Sequence, residues 1–197
     1  MVENNKVCGI LKIVFGAVMI ATALIGYIPL GPVYWVEMTM ISNLLGGGLL
    51  LIDGILNLQD KSIPAFLTLT VCSGLTMVLL FCLITLATPN PFNFGGIFFF
   101  LHVINPILML ISYVFLCKDR AERTFPYILT AAIFTALYGV FDFIVGHIRG
   151  FFVYGFFMPD DLSLAAAAIV EAVVIIIMIL IGLVLFKLNR KAHKNYQ

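Results

Sequence analysis

The sequence predicts an all-α polytopic membrane protein: six transmembrane helices in one bundle, a single domain over residues 1–197, with both termini cytoplasmic. Of its 197 residues, 62% are hydrophobic and 11% charged, whereas a soluble domain carries about a quarter charged residues. The apolar residues lie in runs of about twenty, the length a helix needs to cross hydrocarbon. Ten of the eleven lysines and arginines fall on one side of a six-span arrangement, as the positive-inside rule requires.

The first span covers about 8–29, with Lys6 before it and Lys12 near its start. Its "ATA" (Ala21–Ala23) resembles a signal-peptide cleavage site, but the apolar run continues through Ile28, so an uncleaved helix is expected. The second span, about 37–58, opens on the polar "EMTMISNLLGGGLL". Lys61 separates it from the third, about 65–87, and the turn-rich "ATPNPFNFGG" leads into the fourth, about 97–117. Lys118, Arg120 and Arg123 precede the fifth, about 127–148. The connection "IRGFFVYGFFMPDDLS" is rich in aromatics and is expected in the outer interface, matching a belt of Tyr27, Tyr34 and Trp35. The sixth span covers about 164–187, and a tail with Lys187, Arg190, Lys191 and Lys194 anchors the topology.

Composition also narrows function. A net charge of +1 offers no basic surface for nucleic acid. Cys8, Cys72, Cys82 and Cys117 lack CxxC spacing and read as apolar fillers, and no metal or redox-cofactor motif occurs. The first and last three spans show no convincing repeat, which counts against an inverted-repeat transporter. With little soluble mass, any chemistry belongs inside the bundle or at its outer mouth. The partners expected are membrane lipids, as substrate or ligand, and the sequence is silent on oligomeric state.

Intramembrane polar residues are costly and are functional candidates by default. Span directions place Glu37, Thr39 and Asn43, His102 and Asn105, Asp142 and His147, and Glu171 near one outer level, most within ~12 Å of the boundary at about 1.5 Å per residue. Helical spacing gives each span one polar or small face: Thr39, Asn43, Gly46, Leu50 and Asp53; His102, Asn105, Met109 and Ser112; Ala131, Thr135, Tyr138 and Asp142. Those faces should point inward, and Gly46, Gly47 and Gly48 should admit a close neighbour. Taken singly, Asn43 and Asn105 read as interhelical hydrogen-bonding residues, and Glu37 as a helix cap in the interface. Asp53 is expected to pair with Lys61, and His147 and Arg149 to lie in the interface. Taken together, the set suits acyl transfer. Thr39 needs a base, which the neutral imidazole of His102 can supply. Asn43 or Asn105 can stabilise an oxyanion, and Asp142 can orient the imidazole.

"MTMISNLLGGGLLL", "FLHVINPILMLISYVF" (with His102 four residues before Pro106) and "FPYILTAAIFTALYGVFDFIVG" followed by "FFVYGFFMPDD" resemble a bacterial family of six-span integral membrane proteins. That family is distantly similar to the eukaryotic androgen-induced hydrolases of fatty acid esters of hydroxy fatty acids. The resemblance implies a bacterial plasma-membrane location and an intramembrane threonine hydrolase with Thr39 as nucleophile and His102 as base, although the sequence around His102 fits the bacterial pattern better than the eukaryotic one. The alternatives are a small transporter or channel using Glu171, Asp142 and His102, or a non-catalytic lipid-binding protein.

Overall fold

The computed structural model describes residues 5–87, 93–117, 124–150 and 164–194, which include six helices long and apolar enough to cross a membrane. Helix α1 spans Asn5–Tyr27, α2 Met38–Asn57 and α3 Ala65–Thr85. Helix α4 runs over Ile97–Leu116, α5 over Phe125–Arg149 and α6 over Leu164–His193. No strand occurs among the described residues. The helices match the predicted spans to within a few residues, except that α6 continues into the basic tail. Asn189 holds that extension down, donating to the carbonyls of Tyr113 (2.6 Å) and Cys117 (2.7 Å) at the end of α4. The aromatic connection from 151 to 163, the centre of the turn-rich segment (88–92), and Lys118, Arg120 and Arg123 lie outside the described residues.

Helices α1 and α2 pack backbone to backbone. Each carries two glycines seven residues apart, and the pairs face each other in antiparallel order. A Cβ on Gly16 would lie 2.6 Å from the carbonyl oxygen of Gly47, and one on Gly54 would lie 2.7 Å from that of Gly9. Gly46 meets Met19 and Leu75. Gly48 differs from its neighbours, with nothing among the described residues within 4 Å of the place its Cβ would occupy. The two pairs bring Lys12 against α2 at the end of the bundle that carries both termini. Its Nζ lies 2.6 Å from Asp53 Oδ2 and 2.9 Å from Asn57 Oδ1, with both charged side chains 2% exposed. Lys61 is therefore not the partner of Asp53. Lys61 instead offers its backbone carbonyl to Asn57 Nδ2 (2.8 Å), while Asp53 Oδ1 accepts the Ile63 amide (3.0 Å). Helix α1 reaches the carboxylate because its glycines let it approach more closely than the loop lysine can.

Two of the helices depart from α geometry, and side chains of neighbouring helices bond carbonyls at each irregular turn. Pro106 has no N–H for the carbonyl of His102, and its ring crowds that group. The turn before it widens to π geometry over Phe100–Ile104, with the Asn105 amide bonded to the Phe100 carbonyl. The Leu101 carbonyl, which α geometry would pair with that amide, accepts Asn43 Nδ2 at 3.3 Å. In α5 the backbone tightens to 3₁₀ geometry over Thr130–Ala132. There the Thr130 and Ala131 carbonyls accept the hydroxyls of Thr70 (2.9 Å) and Ser73 (2.7 Å) from α3. Hydrocarbon offers backbone groups no other partner, which explains why polar side chains stand opposite each irregular turn.

The faces predicted from helical spacing are inward. Thr39, Asn43, Gly46, Leu50 and Asp53 on α2 are buried. So are His102, Asn105, Met109 and Ser112 on α4, and Ala131, Thr135, Tyr138 and Asp142 on α5. All four cysteines are buried as well.

Candidate functional site

At the end of the bundle away from the termini, α2, α3, α5 and α6 enclose part of a cavity of about 120 Å³. Helix α2 supplies Met38 and Thr39, and α3 supplies Met77, Val78, Phe81 and Cys82. Helix α5 adds Thr135, Tyr138, Gly139 and Asp142, and α6 adds Glu171 between Val170 and Val174. The lining is apolar apart from a few convergent polar groups, the usual composition of a small-molecule site.

Helix periodicity places those groups. Thr135, Tyr138, Gly139 and Asp142 occupy positions i, i+3, i+4 and i+7 on α5, so one stripe of that helix supplies them. Tyr138 donates its hydroxyl proton to the Val36 carbonyl at 3.0 Å, tying α5 to the short 3₁₀ turn Pro32–Val36 that precedes α2. Gly139 makes room for Glu171, since a Cβ there would collide with both carboxylate oxygens. Among the described residues, the buried oxygens Thr135 Oγ1 and Glu171 Oε1 have no hydrogen-bond partner. For Thr135 the cause is visible. Ser73 already bonds the Ala131 carbonyl, the group four residues back to which a helical threonine usually turns.

Beside the cavity lies a second polar group. Asn43 Nδ2 donates to the carbonyls of Thr39 (2.8 Å) and Leu101 (3.3 Å). Asn105 Nδ2 donates to Asn43 Oδ1 (2.7 Å) and to Thr22 Oγ1 (2.8 Å). Both amide donor groups are thus engaged within the bundle. The Asn43–Asn105–Thr22 cluster ties α1, α2 and α4 together.

Thr39, Tyr138, Asp142 and Glu171 therefore meet at one cavity, and Asn43 and Asn105 meet beside it. His102 does not line the cavity. It is buried on α4, with Nδ1 2.9 Å from the Asn93 carbonyl and its ring packed among Phe94 and Phe98 at centroid distances of 6.2 and 5.9 Å. A carbonyl only accepts, so this contact puts the proton on Nδ1 and leaves the lone pair on Nε2. Glu37 occupies the residue before α2, but its carboxylate does not cap the helix. It accepts the Tyr27 hydroxyl at 2.6 Å, because Tyr27 ends α1 directly opposite. Burial raises the Glu37 carboxyl above its usual range, and the Tyr27 bond opposes that rise. His147 and Arg149 are exposed at the end of α5.

Sequence reasoning placed Thr135 on the inward face of α5 without assigning it a site role, read Cys82 as an apolar filler, and passed over Gly139, Met77 and Phe81. A glycine beside Tyr138 on that stripe was a signal for close approach. The α3 residues carried none, since that helix is apolar almost all round.

Fold and cavity together define a class, an integral-membrane six-helix bundle with an apolar cavity edged by hydroxyls and carboxylates. Comparison with family models, curated proteins and solved structures finds no match to this chain.

Proposed function

We propose that the protein binds a membrane-soluble amphiphile in this cavity. The polar end of the ligand is held among Thr39, Thr135, Asp142 and Glu171, and its chain lies against Met77, Val78, Phe81 and the α6 valines. The observation that carries this reading is the pair of buried, unpartnered oxygens, Thr135 Oγ1 and Glu171 Oε1, on residues lining an otherwise apolar cavity. An unpaired buried polar group costs about 1–3 kcal/mol, which a ligand bearing donors would recover on binding. A diazirine-bearing alkyl probe photolysed in membranes tests it. Crosslinks are expected in peptides carrying Met77–Cys82, Thr135–Asp142 and Val170–Val174. Val78→Trp, which fills the cavity, should reduce that labelling by about tenfold, equivalent to ~1.4 kcal/mol of binding. Labelling spread evenly along the lipid-facing surface would overturn the reading.

A second reading, hydrolysis of fatty acyl esters at the same place, is favoured by two observations. Thr39 lines the cavity, and one Asn43 amide bridges the carbonyl of Thr39 to that of Leu101, the residue before His102. In this scheme ester binding brings His102, which lies outside the cavity lining, to Thr39; Thr39 Oγ1 adds to the ester carbonyl, its proton passes to His102 Nε2, and His102 returns it to the leaving alkoxide. Water then releases the acyl chain from Thr39. Thr39→Ala and His102→Ala should each abolish labelling by a fluorophosphonate probe without loss of the folded state. Undiminished labelling of either variant removes hydrolysis by this pair.

A further inference from the structure

Two oxygens on the cavity wall, Thr135 Oγ1 and Glu171 Oε1, have no hydrogen-bond partner among the described residues. Thr135 is 6% exposed and belongs to the lining, so a partner for it has to come from within the cavity. Its hydroxyl has one proton to give and lone pairs to offer, and neither is spent. The Ala131 carbonyl, its ordinary acceptor, is already bonded by Ser73 at 2.7 Å. Glu171 Oε1 offers lone pairs about one helical turn away. A Cβ on Gly139 would lie 2.7 Å from that oxygen, and Gly139 follows Thr135 by four residues on the same stripe. One wall of the cavity thus presents a hydroxyl with an unused proton and, beside it, an acceptor with no donor.

Resting on the amphiphile-binding reading above, we infer that the ligand has an uncharged hydroxyl head, which donates to Glu171 Oε1 and accepts the proton of Thr135. Neither bond involves Asp142. An ammonium has no lone pair for the Thr135 proton, and a carboxylate has no proton for Glu171. An ether accepts from Thr135 but leaves Glu171 without a donor. A hydroxyl is the smallest uncharged group that does both, and it brings no charge into a mostly apolar lining. This chemistry occurs both in long-chain alcohols and in the free hydroxyls of acylglycerols.

The test uses the full chain in phosphatidylcholine nanodiscs, whose lipid carries no hydroxyl, with a diazirine-bearing dodecanol probe. Displacement midpoints, expressed as mole fraction in the membrane, are measured for dodecanol, its methyl ether, dodecylamine and dodecanoate. The expected wild-type result is a midpoint about tenfold lower for the alcohol than for the ether, with amine and carboxylate no better than the ether. Thr135→Val keeps the side-chain shape without the hydroxyl, and it should shrink the alcohol preference to about threefold. Thr135→Ser should restore it. Equal wild-type midpoints for alcohol and ether overturn the hydroxyl inference, whether or not the variants fold. So does an amine or carboxylate that matches the alcohol, or an alcohol preference undiminished in a folded Thr135→Val. In each of these cases amphiphile binding itself stands, provided the probe crosslinks the cavity. If no chain-bearing probe crosslinks there, both readings fall. Adding 1-monododecanoylglycerol to the series separates the two sources. A midpoint below that of dodecanol means that an acylglycerol is preferred, and one equal or higher means that a simple alcohol is. Either result upholds the inference.

Discussion

Replacing Lys12 by methionine is expected to destabilise the bundle by about 3–5 kcal/mol, the cost of leaving a buried charge without its partner. Asp53 would then retain the Ile63 amide at 3.0 Å and the weaker Asn57 contact at 3.4 Å, but no cation. Adding Asp53→Asn removes the second charge and keeps an oxygen for the Ile63 amide, so the double variant should recover most of the loss. Denaturation by sodium dodecyl sulfate in mixed micelles measures both. A double variant as unstable as Lys12→Met alone would show that the ion pair is not what holds this end of α1 to α2. The residue that composition counts as a topology charge is in the fold a buried structural one.

The second large effect is expected at the α1–α2 glycines, and its sign depends on which glycine is changed. Gly47→Ala sets a methyl 2.7 Å from the Ile20 side chain and 2.9 Å from the Gly16 carbonyl oxygen. Gly16→Ala sets one 2.6 Å from the Gly47 oxygen and 2.9 Å from the Leu51 amide nitrogen. Backbone cannot move aside as a side-chain tip can, so α1 and α2 must separate, at a cost of about 1–3 kcal/mol or somewhat more. Gly48→Ala has nothing to strike within 4 Å. It should stabilise by up to about 1 kcal/mol through helix propensity alone. The same micelle titration reads all three variants, and a loss at Gly48 equal to that at Gly47 would contradict the packing described.

How far this architecture was legible follows from what each signal depends on. Span count and length depend on one-dimensional runs of apolar residues, which a 30 Å hydrocarbon layer imposes on any spanning helix. Inward faces depend on a local period of 3.6 residues, so Thr39, Asn43, Asp53, His102, Asn105, Thr135, Tyr138 and Asp142 could be placed before any tertiary contact was known. Glu37, Lys61 and Gly48 were read differently from the way they pack, and each for the same reason. Their roles turn on which helix happens to lie opposite. Tyr27 claims the Glu37 carboxylate, Lys12 takes the place assigned to Lys61, and no described residue comes within 4 Å of a Cβ on Gly48.

By itself, the sequence determined an all-helical, six-span membrane bundle with polar residues collected toward one end on inward stripes, because hydropathy and helical period are properties of neighbours along the chain. Only the tertiary structure decided that Asn43 and Asn105 spend their amide donors on each other, on Thr22 and on backbone carbonyls. It alone joined Thr39 to Thr135, Asp142 and Glu171 around one cavity while setting His102 against Asn93. Those outcomes depend on helix rotation and on the widened turn before Pro106, which redirect side chains by contacts between residues far apart in sequence.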